Sequence, residues 1–196
     1  DPIRILLTKL LLLKTKFSTP LHLFSCFNVP PHKNQLLVKN EYHFLKTILN
    51  SSNIKTDDEN VYFLGAKYVE QKIMNVNTYI DKLLKVKEFY KDKNFIYVAH
   101  RGEKDGKLTF LKNNYNINYV RFNNIVEIEF ILKNVYPMHI GGFASSALMS
   151  IKSIYKKTSI TSFKIPDNLI LKQTYRNDFK NIYQNFFESN IKIIEI

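Results

Sequence analysis

Two short stretches carry most of the chemistry available to this 196-residue sequence. The first, YVAHRGE, sets His100, Arg101 and Glu103 directly after an apolar run. A histidine can give up a proton near neutral pH or, as a cation, hold a phosphate. Arg101 offers a planar fork of donors to a phosphate or carboxylate. The plainer alternative has His100 closing the strand and Arg101 pairing with Glu103 at the surface. The second stretch, YPMHIGGFASSA, places Gly141 and Gly142, two of only five glycines, just ahead of Ser145 and Ser146. Paired glycines allow a sharp turn or a close approach of the backbone to a ligand. Serines opening a helix cap it, and the exposed N–H groups of the first turn form an anion site to which two hydroxyls add donors. A simple serine cap behind a flexible turn is the alternative here.

A third feature is the acidic pair Glu127 and Glu129. Residues two apart on a helix do not share a face, so at most one of them reaches a ligand in the same crevice as the other stretches. A carboxylate so placed can accept both hydroxyls of a ribose. The other histidines, His22, His32, His43 and His139, lack the spacing of metal ligands, and His139 reads as structural; no metal is expected. Neither a phosphate-loop lysine motif nor a GxGxxG fingerprint occurs. Cys26, the single cysteine, has no internal disulfide partner, and its flanks HLFSCFNV read as a buried strand, so it is expected to be a small core residue in a reducing compartment.

These residues need elements to hold them. Helices are expected over residues 3–16, in the second half of NQLLVKNEYHFLKTILNSS, over NTYIDKLLKVKEFYKD, over IVEIEFILKNV, from the serines to about Tyr155, and from about Asn177 to Glu188. Strands are expected over 21–29, VYFLGA, NFIYVAH, MHIGGF and KTSITSF, with GKLTFLKNN and INYVRF lying between them. The polar stretch SSNIKTDDEN reads as a boundary, dividing residues 1–55 from residues 56–196. Strands alternating with helices imply an α/β unit with a mostly parallel sheet flanked by helices. In such sheets ligands sit beyond the carboxyl ends of the strands, which points to the loops after FIYVA and after MHI.

Composition bounds the rest. With 45% hydrophobic and 14% aromatic residues the chain can bury a sizeable core. Its net charge of +12 comes almost wholly from lysine, which suits a solvated surface or attraction to an anionic substrate or lipid headgroup. No face interleaves arginines with aromatics, so nucleic acid is not an expected partner. The apolar start DPIRILLTKLLLLKTKF is broken by Arg4, Lys9 and Lys14 and is far shorter than the roughly 20 residues of a membrane span. It reads as an amphipathic helix, suited to peripheral attachment or to exchange between protomers of a homodimer. A start at Asp1 rather than Met suggests the C-terminal part of a longer protein.

In their order, the stretches VYFLGAKYVE, NTYIDKLLKV, FIYVAHRGE, VEIEFIL and YPMHIGGFASSAL resemble the C-terminal half of the bacterial sialyltransferases of glycosyltransferase family 52, the lipooligosaccharide sialyltransferase group. The resemblance runs from about residue 55 to residue 160. It rests on His100 with Glu103, matching the family's histidine motif, and on Ser145 with Ser146, matching its serine motif. It implies the C-terminal, Rossmann-like half of a GT-B enzyme that binds the donor CMP-sialic acid and transfers the sugar with inversion, needing no cofactor or metal. The acceptor would be a galactose-type terminus of a surface glycan such as lipooligosaccharide or capsule. By the same resemblance His100 acts as acid or cation toward the departing phosphate, Ser145 and Ser146 bond that phosphate, and Glu127, with Glu129 in reserve, holds the cytidine ribose. Arg101 replaces the family's usual proline. Thr78 stands where the family's aspartate base would fall, leaving Asp81 or Glu70 for that role. Residues 1–55 would then be a remnant of the acceptor domain or a linker, and the enzyme would work in the cytoplasm, peripherally on the inner face of the bacterial membrane. Two readings from other classes stand beside it: a basic nucleic-acid-binding module, and a catalytically inactive relative that keeps donor binding.

Overall fold

The computed structural model describes residues 22–27, 31 and 33–196; the helix expected over 3–16 and parts of the strand expected over 21–29 lie outside the described residues. The chain forms two units, residues 1–40 and residues 41–196. In the first, β1 (Leu23–Ser25) and β2 (Leu37–Lys39) pair in parallel, with Leu23 opposite Leu37. Cys26 follows β1 and is only partly buried, which corrects the expectation of a core position, because a two-stranded pair of three residues each cannot enclose a side chain.

The second unit begins at Glu41, ahead of the expected boundary at 55/56, and takes in α1 (His43–Ser51). Then follow β3 (Lys55–Leu64), α2 (Val76–Phe89), β4 (Asn94–Ala99), α3 (Asp105–Tyr115), β5 (Asn118–Arg121), α4 (Val126–Leu132), β6 (Val135–Gly142), α5 (Ala147–Ile154), β7 (Ser159–Lys164), a 3₁₀ turn (Asp167–Leu169), α6 (Gln173–Glu188) and β8 (Lys192–Glu195). The six strands form one wholly parallel sheet in the order β5-β4-β3-β6-β7-β8. Counted from β3, that is the 3-2-1-4-5-6 order of the doubly wound Rossmann-like fold. The strand order reverses between β3 and β6, and the crevice of such a fold opens at their carboxyl ends.

Three local features depart from the sequence reading. The stretch read as a boundary loop supplies the first half of β3, where Lys55, Thr56 and Asp57 pair with Val135, Tyr136 and Pro137 before the register shifts between Asp57 and Val61. Its polar side chains are tied locally: Asp57 accepts from Asn60 and from the Tyr62 hydroxyl at 2.6 Å, and Asp58 lies 2.7 Å from His139 Nε2. GKLTFLKNN falls within α3, closed by Asn116 at a left-handed φ of 49°. An unanticipated edge strand, β8, follows α6.

One sheet face carries an aromatic layer. Phe63 of β3 is fully buried, with ring centroids 5.7 Å from Phe95, 6.1 Å from Tyr97, 5.0 Å from Phe143 and 6.4 Å from Phe163. Each well-placed aromatic pair is worth about 0.5–1.5 kcal/mol beyond its area burial. On the opposite face Tyr62 packs edge-on to Phe130 of α4, whose ring meets Tyr155. This alternation of successive residues is what a strand buried on both faces requires.

At the carboxyl end of β3, Gly65 faces the same layer: a β-carbon there would lie 2.5 Å from the Tyr97 ring and 2.6 Å from Glu103 Oε2. Gly106, in the first turn of α3, has open space around it. Gly65→Ala is therefore expected to lower stability by about 1–3 kcal/mol through overpacking. Gly106→Ala is expected to raise it by up to about 1 kcal/mol. Urea denaturation of the two variants, compared at equal m-value, checks both signs.

Candidate functional site

The site is set by the ends of three adjacent strands. Leu64 of β3 pairs with both Val98 of β4 and Gly142 of β6, so those residues stand level. His100 lies two residues beyond Val98, and Ser145 three beyond Gly142. The two loops therefore emerge at one edge, on either side of β3, about 10 Å apart at two strand spacings. Tyr68, from the loop after β3, bridges toward the second loop: its hydroxyl donates to the Ala144 carbonyl at 3.0 Å.

His100 is held closely. Its Nδ1 accepts from Gly102 N at 3.0 Å, so the neutral ring carries its proton on Nε2. Its backbone N donates to Glu103 Oε2 at 2.6 Å, while Glu103 N donates back to the His100 carbonyl at 2.9 Å. Arg121, at the end of β5, donates to the carbonyls of His100 and Glu103 at 3.3 and 3.1 Å and pairs with Asp105 at 2.8 Å. The loop, which follows β4, is thereby tied to β5 as well.

Around the imidazole the cations Lys67, Arg101 and Lys107 outnumber the one carboxylate, Glu70. Gly102 separates His100 from Lys67: a β-carbon there would meet Lys67 Cδ at 3.1 Å and His100 Nδ1 at 3.4 Å. Arg101 is exposed beside them. Among the described residues no carboxylate lies within ion-pair distance of Lys67 or Arg101. Partial burial, and then the neighbouring Lys67 and Arg101, hold the His100 pKa below the usual histidine value, opposed by Glu70. Two cations that are free of carboxylate partners among the described residues, with an Nε2–H donor beside them, are suited to an anion.

The other expected residues divide. Glu103 has no surface for a ligand: its side chain is fully buried, and its Oε1 accepts from Tyr97 Oη at 2.5 Å and pairs with Lys107 Nζ at 2.6 Å. Its partners are Tyr97, Lys107 and the backbone of His100 rather than Arg101, and its burial leaves no face for donor contact. Gly141 and Gly142 do not form a turn; both are within β6, buried, at negative φ. A β-carbon at Gly141 would stand 3.2 Å from Phe63 and 3.4 Å from Phe163, and one at Gly142 would stand 3.4 Å from Leu148 of α5. Those glycines make room for side chains packed on the two sheet faces. Ser146 occupies the N-cap of α5, exposed and without a side-chain cap bond, with Ser145 half-buried before it. Glu127 accepts a hydrogen bond from Ser150 Oγ of α5 and is half-buried. Glu129 turns back to accept from Asn124 N and Nδ2 at 3.1 and 2.9 Å, bonds that, with Lys133 beside it, hold its pKa below the usual range. Asp81 lies about one and a half turns into α2, exposed and 3.6 Å from Lys85, so nothing in its geometry marks it as a base.

Sequence reading missed Lys67, Lys107 and Arg121, and it left Glu70 only as a substitute base. Lys67 follows GA at the end of a buried strand, the one local signal that could have singled it out. A cavity of about 760 Å³ lies elsewhere, among Lys87, Lys93, Asn94 and Tyr119 at the amino ends of β4 and β5. Among the described residues no three of His, Cys, Asp and Glu converge as metal ligands, and no helix is long and apolar enough to cross a membrane. No family model matches the sequence, and no curated protein does.

The depressed His100 pKa makes a signed prediction. The free ring favours its neutral form, and a bound anion favours its cation, so anion affinity should strengthen as the pH falls into the acidic range. Sulfate, whose charge is constant over this range, is the probe. Its dissociation constant, measured by calorimetry, should fall with pH in the wild type and stay flat in His100→Gln.

Proposed function

We propose that residues 41–196 bind the CMP moiety of CMP-sialic acid at the carboxyl edge of β3, β4 and β6, as the donor half of a sialyltransferase resembling glycosyltransferase family 52. The observation that carries this reading is the His100 Nε2–H beside Lys67 and Arg101, which meet no carboxylate at ion-pair distance among the described residues, one strand across from the exposed serine cap of α5. The glycan acceptor would come from a galactose-type surface saccharide.

In the transfer, an acceptor hydroxyl attacks the anomeric carbon of sialic acid, the bond from that carbon to the phosphate oxygen breaks, and CMP departs with the electron pair. Charge therefore grows on the phosphate. His100 Nε2–H donates to it, Lys67 and Arg101 neutralise it, and Ser145 and Ser146 add hydroxyls beside the N-terminus of α5. Such donors, fixed before the reaction, stabilise the leaving group without reorganising. Glu127 stands on α4 beside α5 and would meet the ribose hydroxyls. The attacking hydroxyl's proton passes to solvent water.

CMP and CMP-sialic acid are expected to raise the melting temperature by about 3–5 °C at roughly ten times the dissociation constant. Ser146→Ala and His100→Ala should each reduce the shift by at least half at fixed nucleotide. Release of CMP from CMP-sialic acid, with and without a lactose-type acceptor, then separates donor hydrolysis from transfer. Absence of any thermal shift at millimolar nucleotide overturns the reading.

A further inference from the structure

A chain of buried charges runs from the His100 loop to the Lys67 loop. Lys107 Nζ, on α3, sits 2.6 Å from Glu103 Oε1 and 3.2 Å from Glu70, and 4.7 Å over the Tyr79 ring. The three side chains are nearly enclosed, at 6% exposure for Lys107, 0% for Glu103 and 12% for Glu70. Tyr79 and Tyr97 extend the chain, their hydroxyls 2.6 Å apart. Glu70 also accepts from Lys104 N at 3.2 Å. Burying an ion costs several kcal/mol, and a hydrophobic trio of like volume often serves stability as well. What a hydrophobic trio cannot do is direct hydrogen bonds to chosen backbone atoms.

The two ends of this chain reach the two loops that supply the cations. Glu103 holds the backbone of His100. Glu70 belongs to the same loop as Lys67, three residues on. We propose that Glu70, Lys107 and Glu103 form a positioning triad that sets the His100 ring and the Lys67 loop at a fixed separation, so that the two converge on one anion. This deepens the CMP-binding reading and rests on it for the identity of the anion. The groups facing His100 are Lys67, Arg101, Glu70 and Lys107, so a change of loop geometry registers directly in its titration.

The test uses Glu70→Gln and Glu103→Gln in the whole chain, with wild type alongside. Imidazole ¹⁵N shifts report the His100 tautomer and its titration without ligand, and calorimetry reports affinity for sulfate and for CMP. Both variants are expected to keep the far-UV circular dichroism of the wild type, to shift the His100 titration, and to bind sulfate about tenfold more weakly, the loss of one oriented charge-assisted hydrogen bond. Should Glu103→Gln fail to fold, Glu70→Gln, at the outer end of the chain, decides alone. A lowered melting temperature with His100 titration and sulfate affinity unchanged would overturn the positioning role and leave the triad structural. Wild-type binding of sulfate but not CMP would sink the nucleotide reading while the triad stands.

Discussion

The carboxylate of Glu103 constrains this molecule more than any other single group. A fully buried anion must have its acceptor sites filled, and here they are filled by Lys107, the Tyr97 hydroxyl and the backbone N–H of His100. Each partner then limits another element. Lys107 brings α3 against the loop carrying Glu70, Tyr97 places the carboxylate at the end of β4, and the His100 contact closes the turn. Gly65 follows from the same constraint, because the space a side chain would occupy is taken by Tyr97 and Glu103.

Around that constraint the fold supplies rigidity of a different kind. The aromatic layer on β3, β4 and β7 fixes the strands by shape, and Gly141 is where the layer needs depth. Gly142 serves the opposite face by admitting Leu148 of α5. The doubled glycine thus couples both layers to β6 and aims α5, with Ser146 at its start, at the carboxyl edge. Its contribution to a ligand site is indirect: it positions the helix rather than clearing space for the ligand.

Much of the architecture was legible from the chain. The runs VYFLGA, NFIYVAH, MHIGGF and KTSITSF are continuous apolar or β-branched segments, as strands covered on both faces must be, and the intervening helices show their period. The polar half of β3 was illegible, because Lys55, Thr56 and Asp57 are held by ladder bonds to β6 from 80 residues away in the chain. Of the candidate site, His100, Arg101 and Ser146 were legible by their place after a strand or before a helix. Lys67 and Lys107 were not, since one lysine among many reads as solvated surface until its neighbours are known.

The roles of acidic residues show the same division most sharply. By itself the sequence determined the α/β class, the parallel sheet and the two loops at its carboxyl edge, because periodicity and breaker residues are local properties. Only the tertiary structure decided that Glu103 is buried and paired, that Gly141 and Gly142 lie inside a strand, and that Lys67 stands beside His100. Those facts depend on desolvation and on which side chains meet across the sheet. Neither is encoded in spacing along the chain.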